Sequence, residues 1–592
     1  MKNDIKNLTL EEKFELLSGN GVWAIHDFNG KLDKVIVSDG PCGLRKMEPD
    51  ENGKLFTVKS TIYPSVHVLA NSWNKQLAKT VGNAIADDCI DHDVDIILAP
   101  GVNIKRHPLN GRNFEYFSED PYLAGTLAKE YILGVQEKGI GTSLKHYVAN
   151  NFEQDRLLVS SEIDERTLRE IYIKPFEIAL QANPVTIMSS YNKINGVWAS
   201  EHAKLVKRTL REELGFKGLV MSDWGAVHDR VKALKATTDL EMPDRKESVE
   251  ELKKAYESGE ITIEEIDFCV QNILNLINTM QSWKPLRKVT TTKEDRHKLA
   301  YQGALEGSVL LKNQDNILPL KGNEKIVVYS LEKDRVTVIG DGSARVETDY
   351  QMATLGDEIK RAMPKAEVEY LEPYTYWRGN VETKFLGEKL SSACDADVCV
   401  VFAGIDYRNE GEGFDRQSMR LQPRLEYIIK EISKINPNTI VVLAGGSAIE
   451  TCWWDENVKA ILYTGFAGEG MLEAAADLIA GNVSPSGKLS ETFAYELEDY
   501  PTTTSAMKNP LVTQYTEGVF VGYRYFDFFE EEVNYPFGHG LSYANFEYSN
   551  LQIKPTGDFE AEVSYTITNT SKIDAKEVSQ LYVKDMLSSV LR

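Results

Sequence analysis

Short apolar runs alternate with amphipathic stretches through the first half of the chain. The runs VDIILAP (94–100), GTSLKHY (141–147), PVTIMSSYN (184–192) and GLVMSDW (218–224) have the length and continuity of strands covered on both faces. Between them, residues 121–138, 165–182 and 201–214 follow a helical period. In the second of these, Leu168, Ile171, Tyr172, Phe176 and Ala179 fall on one face. Buried strands separated by helices over residues 1–285 predict an α/β domain closed as a (β/α) barrel. The runs also lead into polar side chains: Asn103 and Arg106, Lys145 and His146, Tyr191 and Asn192, then Asp223. The C-terminal ends of parallel barrel strands open onto one face, and active sites sit there. Those positions are the first candidates for chemistry.

A basic, polar stretch over 286–297 reads as a linker. The alternation then resumes over 298–497 with KIVVYSL (325–331), RVTVIG (335–340), DVCVVFAG (397–404), NTIVVLAGG (438–446) and VKAILYTG (458–465). Helical segments at 422–435 and 468–480 separate some of these runs, which predicts a doubly wound α/β sandwich domain. GDGS (340–343) and AGG (444–446) lack the full dinucleotide fingerprint and its acidic partner, so they read as tight strand-to-helix turns. A nicotinamide oxidoreductase is set aside on that ground. Residues 498–545 form an aromatic, Gly-rich connecting segment. From 546, FEYSNLQI and EAEVSYTITNTS alternate with period two, as β-sandwich strands do. Such a sandwich takes about 100 residues, so 546–592 is expected to be a partial domain.

Charge narrows the partners. Against 67 Lys and Arg stand 90 Asp and Glu, a net −23, which repels phosphate backbones and anionic lipid. No nucleic-acid or membrane partner is expected. Cys42, Cys89, Cys269, Cys394, Cys399 and Cys452 are scattered without zinc-site spacing, so no metal is expected. The N-terminal MKNDIKNLTLEEKFELL places charges where a secretory signal needs an apolar run, and no membrane-length apolar stretch follows. These features predict a cytoplasmic enzyme, in which the Asn569-Thr570-Ser571 triplet has no bearing.

Seven segments carry a resemblance: VSDGPCGLRK (37–46), NGRNFEYFSEDPYLAG (110–125), LKHYVANNFEQDR (144–156), MSSYNKING (188–196), GFKGLVMSDWGAVHD (215–229), EGEGFDR (410–416) and PSGKLSETF (485–493). In this order, and together with LTLEEKFELLSG (8–19), they resemble glycoside hydrolase family 3 over nearly the whole chain. The resemblance implies a barrel, an α/β sandwich and a truncated fibronectin type III-like β-sandwich. It implies a retaining, exo-acting β-glucosidase that hydrolyses terminal non-reducing β-D-glucosyl residues by double displacement, with a small-molecule glycoside as partner and no cofactor. Oligomerisation stays open.

Such a reaction needs two carboxyl groups about 5 Å apart, one ionised as nucleophile and one protonated as acid. By resemblance, Asp223 is the nucleophile and Glu412 the general acid. The residues alone leave alternatives: Asp223 as a helix cap, Glu410 in place of Glu412 as the general acid, and either glutamate as a solvated loop acid. The resemblance further implies sugar binding by Asp39, Arg112, Lys145, His146, Arg156, Tyr191 and Trp224. The basic members are expected to keep Asp223 ionised. Arg106, Glu115 and Glu153 are expected in scaffold ion pairs. A β-xylosidase or α-L-arabinofuranosidase of the same family is the alternative activity, and an inactive carbohydrate-binding protein the alternative class. A β-N-acetylglucosaminidase is disfavoured, because Lys145-His146 continues as YVANNFEQDR and lacks that group's Lys-His-Phe-Pro-Gly-His loop.

Overall fold

A computed structural model describes residues 2–331, 336–377, 380–383, 386–503, 511–558 and 560–583. Five parallel strands form the first sheet: β1 (Val37–Ser38), β2 (Ile96–Ile97), β3 (Gly141–Tyr147), β4 (Thr186–Ser189) and β5 (Leu219–Met221), side by side in that order. Their residues are buried throughout, which accounts for the continuous apolar runs. Parallel bridges join Met221 to Leu240 and Glu241 to Ser18; antiparallel bridges join Gly19 to Ile25 and Ala24 to Ile36. The last of these reaches the residue before β1, so the sheet curls round and closes. Helices α1 (Lys75–Asp91), α2 (Pro121–Glu137) and α3 (Ile263–Trp283) present their apolar stripes to it. The first two cross closely at glycines, since a Cβ on Gly134 would run into the carbonyl oxygen of Lys79.

The 286–297 stretch is basic because it lies against the barrel. Arg287 pairs with Asp95 (2.7 Å), and Arg296 with Asp88 (2.6 Å) and Asp91 (2.7 Å). Its C-terminal part is already helix α4 (Lys293–Gly307), started by a capping box between Thr292 and Asp295.

The second sheet contains β6 (Val309–Asn313), β7 (Lys325–Tyr329), β8 (Glu367–Leu371), β9 (Val398–Gly404), β10 (Thr439–Ala444) and β11 (Ala460–Tyr463), in the order β6-β11-β10-β9-β7-β8. All neighbours are parallel except the edge pair β6–β11. The run RVTVIG is no strand in its described part, 336–340. Val336, Val338 and Ile339 are instead buried in the cluster that holds Phe114 of the barrel, and Gly340 abuts that ring. This crossing brings residues 341–343 of the sandwich domain to the barrel mouth. At the C-terminal end, β12 (Phe546–Gly557) and β13 (Glu560–Asn569) form an antiparallel hairpin with mostly exposed side chains. No second sheet faces it among the described residues.

Candidate active site

The ends of the barrel strands supply most of the site. Asp223 lies just beyond β5, buried, with its Oδ1 accepting from the Trp224 backbone N–H at 2.8 Å. Its Oδ2 has no hydrogen-bond partner among the described residues. Asp223 is not a helix cap: Asp229 caps the next helix, accepting from Lys232 N at 2.9 Å. The Oδ2 faces His146 Nε2 at 3.7 Å. Tyr116 orients that imidazole. Its hydroxyl accepts from Asn150 Nδ2 (2.9 Å) and lies 3.1 Å from His146 Nδ1, which also lies 3.3 Å from Asn103 Oδ1. Burial, reinforced by Arg112, Lys145 and Arg156, holds His146 well below its usual range, hence neutral.

Asp39 follows β1 in a tight turn that needs glycine at 40 and 43, both at positive φ with no room for a Cβ. The side chain is buried and accepts from Arg45 Nη1 at 3.0 Å. Burial pushes its carboxyl up to about 7; Lys145 and Arg45 oppose the rise, whereas Glu412 and Asp223 add to it. Those mutual effects put Asp39, Lys145, Asp223 and Glu412 within reach of one another's charge. Lys145 is itself buried.

Arg112 and Arg156 join the barrel to the sandwich-domain acid. Arg112 is buried and pairs with Glu115; its Nη1 lies 3.6 Å from Glu412 Oε1 and makes no hydrogen bond among the described residues. Arg156 contacts Glu153 at 2.6 Å and Glu412 at 2.9 Å, and its guanidinium lies 4.3 Å above the centre of the Tyr191 ring. Tyr191 is buried and within the field of Asp223. Trp224 is half-buried, its indole N–H donating to Val22 O at 3.0 Å, with the Trp23 ring 5.6 Å away. Together the two indoles make an aromatic corner next to Asp223.

Glu412 and Glu410 part company. Glu412 reaches the arginines of the barrel and accepts from Ser343 N at 2.9 Å. Glu410 points into the sandwich domain, paired with buried Arg416 (3.0 Å) and accepting from Gly446 N (2.6 Å). Of the other charged residues, Arg106 forms a buried pair with Glu517 (2.6 Å), Glu115 holds Arg112, and Glu153 holds Arg156. Arg45, Ser343 and the ring of Trp23 were not singled out in the sequence. Ser343 and Trp23 come from segments distant from the strand ends, and no local spacing marks them.

Burial and charge act differently on the two acids. Burial pushes Asp223 above the usual carboxylate range; Arg112, Arg156 and Lys145 oppose this without cancelling it, and Glu412 adds to it. Burial also acts on Glu412, but there Arg112, Arg156 and the Ser343 contacts outweigh it and hold the carboxyl well below its usual range. The cations therefore favour the ionised form of Glu412 more than that of Asp223. Among the described residues, no cluster of three or more His, Cys, Asp or Glu could hold a metal ion.

A barrel and an α/β sandwich thus meet at a cluster of buried acids and arginines. The glycosyl hydrolase family 3 N-terminal domain matches residues 41–276 and the family's C-terminal domain matches residues 308–543. The chain belongs to glycoside hydrolase family 3. It is 40% identical to a thermostable β-glucosidase B of Acetivibrio thermocellus, over 100% of this chain and 79% of that protein. It is equally 40% identical to an exo-α-(1→6)-L-arabinopyranosidase of Bifidobacterium breve, over 99% of this chain and 79% of that one. The structure of β-glucosidase 3B from Thermotoga neapolitana in complex with glucose superposes with a TM-score of 0.88 at 36% identity, covering 96% of this chain and 87% of that chain.

Proposed function

We propose that this glycoside hydrolase is a retaining, exo-acting β-glucosidase with Asp223 as nucleophile and Glu412 as acid/base. The observation that carries the reading is Asp223 Oδ2: a buried carboxylate oxygen with no hydrogen-bond partner among the described residues, 3.7 Å from His146 Nε2 and within the field of Arg112, Arg156, Lys145 and Glu412. Family relatives named β-glucosidase and a glucose-bound relative support a hexose there.

In the first step Asp223 Oδ2 attacks the anomeric carbon as Glu412 gives its proton to the glycosidic oxygen; the C–O bond breaks and the aglycone leaves as an alcohol. In the second, Glu412 takes a proton from water, the water oxygen attacks the same carbon, and the Asp223 ester bond breaks. Two inversions return the sugar with its original configuration. Positive charge developing at the anomeric carbon favours ionised Asp223. Sugar hydroxyls taking up Arg112 and Arg156 weaken their hold on ionised Glu412. Proton NMR of the earliest product tests the double displacement: β-glucose first is expected, and α-glucose first overturns it.

A second reading, α-L-arabinopyranosidase, has two relatives in its favour, at 40% and 39% identity. That sugar has an axial 4-hydroxyl and no hydroxymethyl group; if Asp39 accepts from O4 and O6, as the family resemblance implies, its turn is where this sugar would be told from glucose. Comparing kcat/KM on aryl β-D-glucoside, β-D-xyloside, α-L-arabinopyranoside and α-L-arabinofuranoside ranks the readings directly. We also assign the 546–569 hairpin to a fibronectin type III-like domain, and a reducing, cytoplasmic setting, which agrees with six free cysteines.

A further inference from the structure

The loop that presents Glu412 meets the barrel through a second acid, Asp415. Its Oδ1 accepts from the backbone N–H groups of Gly111 (3.0 Å) and Glu153 (3.1 Å), and its Oδ2 from those of Glu153 (3.1 Å) and Gln154 (2.9 Å). Three main-chain donors from two separate barrel turns converge on one half-buried carboxylate. The contact runs in both directions. Gly413 N donates to Glu153 Oε2 at 2.9 Å, and Arg416 N to Leu109 O at 2.8 Å. On the barrel side Gly111 has no space for a side chain, because a Cβ there would run into the carbonyl oxygens of Phe414 and Gly411.

The two turns gripped by Asp415 are those that carry Arg112 and Arg156, the arginines facing Glu412 at 3.6 and 2.9 Å. The same contacts that dock the loop therefore fix the acid against its charge partners and over the barrel mouth. A catalytic acid on one domain and a nucleophile on another work only at a set separation, and displacements of about 1 Å cost on the order of 100-fold in rate.

We propose that Asp415 is a positioning residue: its carboxylate latches the sandwich-domain loop onto the barrel and sets the reach of Glu412 to the glycosidic oxygen, with Gly111 as the matching contact point. The proposal rests on the reading of Glu412 as acid/base. Both Asp415 oxygens meet N–H donors, so an amide of the same shape is not equivalent. Asp415→Asn turns an –NH2 donor toward backbone donors on one side.

The test compares Asp415→Asn, Gly111→Ala and Glu412→Ala on 2,4-dinitrophenyl β-glucoside and on methyl β-glucoside. Cleavage of the first needs no proton at the leaving group; cleavage of the second does. For Asp415→Asn, kcat/KM on the methyl glucoside is expected to fall about 10- to 100-fold while the dinitrophenyl value changes less than about threefold. Gly111→Ala, which disturbs the same contact from the barrel side, is expected to show the same split and serves if Asp415→Asn does not fold. A protein merely loosened would lose both substrates alike. Equal losses, or no loss, in both latch variants alongside a clear split in Glu412→Ala overturn the latch and leave the acid assignment standing. No split in Glu412→Ala overturns the acid assignment and the latch with it.

Discussion

Glu410 and Glu412 share one short loop, and their surroundings predict opposite phenotypes on truncation. In Glu412→Ala, Arg112 keeps Glu115 and Arg156 keeps Glu153 at 2.6 Å, so no buried charge loses its last partner. Because both arginines keep a carboxylate partner, the stability cost is expected to be smaller than that of stranding a buried charge. The chemical cost is far larger: loss of a general acid/base is worth about 10²- to 10⁴-fold on a poor leaving group. The first step with dinitrophenyl glucoside is spared, glycosyl-enzyme accumulates, and azide restores turnover as β-glucosyl azide. Glu410→Ala instead strands buried Arg416, which keeps the carbonyls of Ala448 (2.9 Å) and Met419 (3.2 Å) and loses its carboxylate at 3.0 Å. Breaking a buried pair from one side costs about 3–5 kcal/mol. The thermal midpoint should drop by several degrees, with losses on activated and unactivated substrates in parallel. Thermal melts, kcat/KM on the two glucosides and azide titration decide the matter. A stable Glu410→Ala rescued by azide, with Glu412→Ala unaffected by it, refutes the assignment.

Two further outcomes follow from the site and the domain seam. Asp39→Glu should harm glucoside cleavage more than xyloside cleavage by crowding the hydroxymethyl group, at about 1–3 kcal/mol or roughly 10- to 100-fold in the kcat/KM ratio; equal losses would show that Asp39 does not read that group. His297, on α4, lies between Glu469 (3.1 Å) and Glu473 (3.2 Å). Burial alone would lower its pKa, but the two glutamates raise it to about 9. Because the folded value exceeds the ordinary value near 6.5, this contribution to stability is complete below about pH 6.5 and is lost as pH rises through about 9. The thermal midpoint should fall over that range, with a shallower fall in His297→Gln; identical slopes would remove His297 from the account.

Much of this was legible because burial leaves a periodic trace. β9, a seven-residue strand buried at every position, reads as an unbroken apolar run; β3 is as fully buried although Thr142, Ser143, Lys145 and His146 interrupt it. RVTVIG left the same trace for another reason: its valines and isoleucine are buried at the domain seam without pairing in a sheet. β8 went unread because its residues are exposed or only half-buried. The acids were legible as motif members, but their relation was not. Glu412 and Glu410 differ in partners supplied by Arg112, Arg156, Arg416 and Gly446, whose proximity comes from domain docking. For the same reason Asp415 read only as part of a loop, although it accepts from turns more than 250 positions away in the chain.

The central claim is that Asp223 forms the covalent bond to sugar. A 2-deoxy-2-fluoro glucoside with a dinitrophenyl leaving group slows both steps, and the activated aglycone lets the ester accumulate. Mass spectrometry of a proteolytic digest should then find the fluorosugar on the peptide containing Asp223, and none on the Asp223→Asn protein. A label on Asp39, Glu412 or any other carboxylate would contradict the account.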